Sequence, residues 1–112
     1  MRPRLGGPAP SDADVFHAIA DPTRRRLLDS LERSERTVND LAAPFRMSRP
    51  AISQHLAILR NAGLVEARRD GRQRHYRICA VQLRQVHDWV SHYERFWSDK
   101  LRALGDFLEK NP

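Results

Sequence analysis

A chain of 112 residues is long enough for one domain with one modest core. Its formal net charge of +6 favours a polyanionic partner, nucleic acid or an acidic membrane surface. The single cysteine, Cys79, excludes an intrachain disulfide, and no apolar run approaches the roughly 18–20 residues of a membrane span.

Residues 1–11, MRPRLGGPAPS, are rich in Pro and Gly and lack the apolar stretch of a secretory signal. They read as a flexible tail ahead of one folded domain, residues 12–112. With no disulfide, a cytoplasmic location is expected. Lys100 and Lys110 are the only lysines, so the positive charge is almost all arginine. That bias suits two-pronged phosphate recognition, and codon usage in a GC-rich genome produces it as well.

A first helix is expected from Asp14 to Ala20, with Val15, Phe16 and Ile19 on one face. Asp21 then caps a second helix, Pro22 to about Arg33, which buries Leu27, Leu28 and Leu31. Thr37 caps a third, with Asp40 at its third position and Val38, Leu41 and Ala42 inward. It ends near Pro44, and Phe45-Arg46-Met47 forms a turn. Ser48 caps a fourth helix with Pro50 in its first turn. At 100° per residue Ile52, Leu56 and Leu59 point into the core. Pro50, Gln54, Ala57 and Asn61 point away, and Arg49, Ser53 and Arg60 lie on one flank. Gly63 suits a left-handed cap.

Leu64 to Arg69 reads as a strand, Asp70-Gly71 as a hairpin turn and Gln73 to Cys79 as the return strand. From Ala80 to Lys110 a long helix is expected. Leu83, Val86, Val90, Tyr93, Trp97, Leu101, Leu104 and Leu108 recur along it, and Trp89, Phe96 and Phe107 widen the stripe. So small a body cannot cover that surface, so a second copy is the expected cover. The fold class is mainly α with a small β-hairpin wing, a winged helix-turn-helix.

Ser48, Arg49, Pro50, Ser53, Gln54, His55 and Arg60 are the candidate DNA-contacting residues of the second helix of that motif. For His55, DNA contact and half-buried packing both stay open; for Arg60, phosphate contact and pairing with Glu66. Arg68, Arg69, Arg72 and Arg74 are the candidate wing contacts, with a charged, aggregation-resistant edge as the alternative. At least one of Arg24, Arg25 and Arg26 is expected to reach phosphate. The candidate dimer interface is Val15, Phe16, Ile19, Val86, Val90, Tyr93, Trp97, Leu101 and Leu104.

No Gly-rich phosphate loop, nucleophile–base pair or acidic cluster supports an enzyme. His92 and Glu94 diverge on a helix, so with His87 they make a poor metal site, and no metal or other cofactor is expected. Cys79 reads as a small core residue rather than a redox sensor.

The runs FHAIADPTRRRLLDSL (Phe16–Leu31), SRPAISQHLAILRNAGLV (Ser48–Val65) and RRDGRQRHYRI (Arg68–Ile78) occur in this order and spacing. Together they resemble the ArsR-type winged-helix transcriptional repressors over about residues 13–110. The resemblance implies a homodimer joined through the first and last helices, an inverted-repeat operator in double-stranded DNA, and repression of transcription. Two departures are visible. The metal-sensing members carry Cys-x-Cys on the first helix of the motif, and Thr37 to Ala43 holds no cysteine. Arg46 stands at a turn position where Gly is common. The chain therefore is most similar to the metal-independent, autorepressing branch. A metal-gated sensor and a winged-helix protein-interaction module are the alternative readings.

Overall fold

Asp21 sets the first corner of the chain. Its carboxylate Oδ2 accepts from the backbone amides of Thr23 and Arg24 at 2.8 and 3.1 Å, which ends α1 (Asp12–Ile19) and starts α2 (Pro22–Ser30). The computed structural model describes residues 12–111, so the expected tail at 1–11 lies outside the described residues. Partial burial pushes the Asp21 carboxyl pKa up. The two amide hydrogen bonds and the nearby Arg24 and His55 outweigh this and hold it below 3.8. A depressed carboxyl contributes stability above its unfolded pKa and loses it as pH falls through the folded value. Asp21→Asn keeps a capping oxygen but no charge. It should flatten the acid limb of a thermal-melt series below about pH 4. An unchanged acid limb would show that Asp21 acts through capping alone.

Helix α2 stops at Ser30, three residues short of the expected Arg33. Leu31 leaves helical geometry to bury its side chain, and Arg36 Nε donates to the Ser30 carbonyl at 2.8 Å. A cation there also complements the helix dipole. Next come a two-residue strand, β1 (Arg36–Thr37), and a short α3 (Val38–Ala42). Thr37 caps α3 by accepting from the Asp40 amide. The turn that follows contains no non-glycine residue with positive φ, so Arg46 fits it without strain.

Helix α4 (Arg49–Asn61) is capped by Ser48 and buries Ile52, Leu56 and Leu59 completely. These meet Val15, Ala18, Leu27, Leu31, Leu41 and Leu64 in one core. Gly63 ends the helix at φ 79°, the left-handed geometry that a Cβ disfavours.

Strands β2 (Val65–Asp70) and β3 (Gln73–Ile78) form the hairpin. Asp70 pairs with Gln73, so the central turn residues are Gly71 and Arg72, one step later than the expected Asp70-Gly71. Gly71 has φ 65° and Arg72 is not left-handed, the II′ pattern with Gly first. β1 adds to the far edge of β3, giving an antiparallel sheet ordered β1-β3-β2.

The expected long C-terminal helix is interrupted. A 3₁₀ turn (Ala80–Leu83) leads into α5 (Arg84–Ser91), and α6 (Glu94–Lys110) starts after a break at His92-Tyr93. Tyr93 sits at φ −104°, ψ 5°, off the helical well. The break separates two environments. Leu83 and Val86 pack on the core, whereas α6 keeps all its large apolar residues exposed. No described helix is long and apolar enough to cross a membrane.

Candidate nucleic-acid interface

The exposed side of α4 is polar. Arg49, Pro50, Ser53, Gln54 and Arg60 all face solvent, opposite the apolar row that seats the helix. Ser48 is exposed as well, but its Oγ accepts from the Ala51 amide, so the hydroxyl serves first as the helix cap. His55 is half-buried, with Nδ1 at 3.2 Å from Arg24 Nη1, so one ring edge faces the body. Arg60 does not pair with Glu66, because Arg77 holds that carboxylate at 2.8 and 2.6 Å.

The hairpin sorts its charges by face. Glu66, Arg68 and Asp70 lie across from Arg77, His75 and Gln73 on the outer face. There Arg68 donates to Glu35 through Nε and Nη2 at 3.3 and 2.8 Å. Asp70 lies 4.0 Å from Arg68 and 3.9 Å from His75. The hydrogen bond to Arg68 holds the Glu35 carboxyl below its ordinary range, and the Arg68 and Arg77 guanidiniums are pushed up by Glu35 and Glu66. Arg68, expected among the wing contacts, is therefore committed to a carboxylate.

On the other face, Val65, Ala67 and Arg69 oppose Ile78, Tyr76 and Arg74. The root of this face is core, and its tip sets Arg69 directly across from Arg74. Like charges so placed repel unless an anion intervenes. Among the described residues no carboxylate lies within ion-pair distance of Arg69, Arg72 or Arg74. Arg72 and Arg74 line a polar cavity of about 160 Å³ together with Gln73, Asn39, Thr37, Val38 and Arg49. The wing tip and the start of α4 thus present three guanidiniums to one hollow with no acid in its wall.

The arginine run on α2 is used differently from expectation. Arg24 is buried and donates to the His17 and Ala18 carbonyls at 3.1 and 2.7 Å, and Arg25 donates to the Ile19 carbonyl at 2.7 Å. Both cap the C-terminal end of α1. Arg26 stacks 4.4 Å over the Phe45 ring in the turn before α4. Of the three, Arg24 alone is buried, and exposed Arg25 and Arg26 both remain phosphate candidates. Nothing in the run itself distinguishes these fates.

The candidate dimer residues also divide. Val15 is fully buried in the core of the chain itself, which leaves it no surface for an interface. Ile19 and Val86 are half-buried against that core, and Val90 is half-buried. Phe16 meets Trp89 edge-on at 5.6 Å. Tyr93, Trp97, Leu101 and Leu104 stay exposed, at 48%, 50%, 68% and 53%. His87 contacts Asp88, and His92 meets Tyr93 edge-on at 5.6 Å. Cys79 is half-buried at the end of β3.

A polar-faced helix in a helix-turn-helix, joined to a basic hairpin, defines a winged-helix DNA-binding regulator. Residues 21–67 match the family model for bacterial regulatory proteins of the arsR family. The chain is 38% identical to the transcriptional repressor SdpR of Bacillus subtilis (strain 168) over 80 residues, 71% of this chain and 89% of that one. It is 47% identical to a transcriptional repressor SmtB homolog of Synechocystis over 67 residues, 60% of this chain and 51% of that one. The solved ArsR-like transcriptional regulator from Rhodococcus sp. RHA1 superimposes with a TM-score of 0.67 at 32% identity, covering 89% of this chain and 92% of that one. The chain belongs to the ArsR family of winged helix-turn-helix transcriptional regulators. Members of this family act by binding DNA and are not enzymes.

Proposed function

We propose that the protein is a cytoplasmic, homodimeric repressor that binds an inverted-repeat operator in duplex DNA, its own promoter included. The observation that carries this reading is the set of arginines at the α4–wing hollow, Arg49, Arg72 and Arg74, with Arg69 beside them. The neighbouring outer face is neutralised residue by residue, and this one is left for an external anion. Phosphate on either side of a major groove supplies it, with α4 between the backbones and Gln54 and Ser53 toward base edges. In this reading the exposed α6 stripe, with Phe16 and Trp89, meets a second copy. Dyad symmetry then sets the two α4 helices roughly 34–36 Å apart, or a multiple of it.

Gln54 separates base reading from backbone grip. Its amide can pair with a base edge, so Gln54→Ala should cost roughly 1–3 kcal/mol on the operator and much less on scrambled duplex. Footprinting on the DNA upstream of the gene locates the operator, and fluorescence anisotropy on operator and scrambled duplexes measures the cost. Equal loss on both duplexes would remove Gln54 from base recognition. A wild-type protein that binds neither would remove the DNA reading altogether.

A further inference from the structure

Arg24 is the one buried charged residue among the described residues, at 7% exposure. A guanidinium is costly to bury unless its N–H groups find acceptors. Two acceptors are the His17 and Ala18 carbonyls in the last turn of α1, at the negative end of that helix dipole. The third is Nδ1 of His55, on a different element, the DNA-facing helix.

This third contact has a chemical consequence. A guanidinium only donates and does not give up its proton. Nδ1 must therefore offer its lone pair, and the ring proton sits on Nε2. Among the described residues Nε2 has no hydrogen-bond partner, and it is not enclosed. Asp21 faces the same pair, but its Oδ2 is taken by the amides of Thr23 and Arg24. On the helical wheel His55 lies on the flank of α4 opposite Arg49 and Ser53, away from the wing.

We infer that Arg24 is a positioning residue for DNA binding: it locks His55 in the tautomer with the proton on Nε2. That proton becomes a fixed donor to a backbone phosphate on the groove wall opposite the wing. The inference rests on the DNA-binding reading above. In it, Arg49 and the wing grip one strand, while His55 meets the other through an uncharged N–H. Arg24 touches no DNA. It ties the end of α1 to α4 and sets which nitrogen is armed.

Two measurements test this. Long-range proton–nitrogen NMR of the free protein at mildly alkaline pH reads the tautomer without DNA. Wild type should show Nδ1 bare and Nε2 protonated, and Arg24→Met should show a mixture. Binding to a random-sequence duplex then reads the donor. A glutamine amide overlays Nε2 and an asparagine amide overlays Nδ1. His55→Gln should stay near wild type, and His55→Asn should lose about tenfold. The salt dependence should not change, because an uncharged donor releases no counterion. A proton on Nδ1 in wild type, or full affinity in His55→Asn, overturns the inference. If Arg24→Met does not fold, the wild-type spectrum and the two His55 variants still decide it. If wild type binds no duplex, the DNA reading fails, and the tautomer result stands or falls separately.

Discussion

Trp97→Glu combined with Leu104→Glu should give a folded monomer that has lost operator binding. Both side chains lie on the exposed stripe of α6, at 50% and 53%, and neither belongs to the core of its own subunit. The fold of residues 12–91 therefore has little to lose, and a buried charge at a symmetric interface appears twice. Linking two half-site contacts raises apparent affinity by about 10²–10⁴-fold, so a monomer should bind the operator weaker by about that factor. Sedimentation velocity gives the mass, circular dichroism the fold, and anisotropy the affinity. A wild-type protein that sediments as a monomer at micromolar concentration would sink the dimer reading. So would a double variant that stays dimeric.

Replacing Arg69, Arg72 and Arg74 together by alanine should weaken operator and scrambled duplex alike. Each lost phosphate contact removes about 0.9 from the slope of log affinity against log salt, so three lower it by about 2.7. Arg68→Ala and Arg77→Ala serve as controls. These arginines hold Glu35 and Glu66 on the other face and should leave the slope nearly unchanged. Exposed pairs of this kind contribute about 0–1 kcal/mol to stability, so the controls should also fold. A salt slope that responds to Arg68 but not to the triple change would reverse the assignment of faces.

Local rules carried much of this architecture. Ser48, Pro50, the Ile52–Leu56–Leu59 row and Gly63 each specify one property of α4, and together they fix its ends and its buried side. The wing was legible through Gly71, although the turn sits one residue later because Gly71 supplies its first, left-handed position. What escaped depends on partners distant in the chain. β1 is two residues long and exists because β3 offers it an edge at His75 and Tyr76. The break at His92-Tyr93 is hidden because the apolar rhythm runs straight through it. Charge runs were the least readable: Arg24, Arg25 and Arg26 look alike in sequence, yet two cap α1, one of them buried, and the third stacks on Phe45. Likewise Arg68 and Arg69 are adjacent, and strand alternation sends them to opposite faces.

The short strand β1 also closes a long stretch of chain. Its pairing of Arg36 with Tyr76 closes a loop of 40 positions (76 − 36) that contains α3, the turn, α4 and β2. Closing so long a loop costs conformational entropy that grows only slowly with its length, and the β1–β3 rungs help to hold it shut. Helix α4 is thus enclosed by a clasp whose other half is the hairpin. Peeling β1 from β3 would free the entry to α3 and expose one edge of the hairpin. The amides of β1, α3 and β3 are therefore expected to lose hydrogen-exchange protection together.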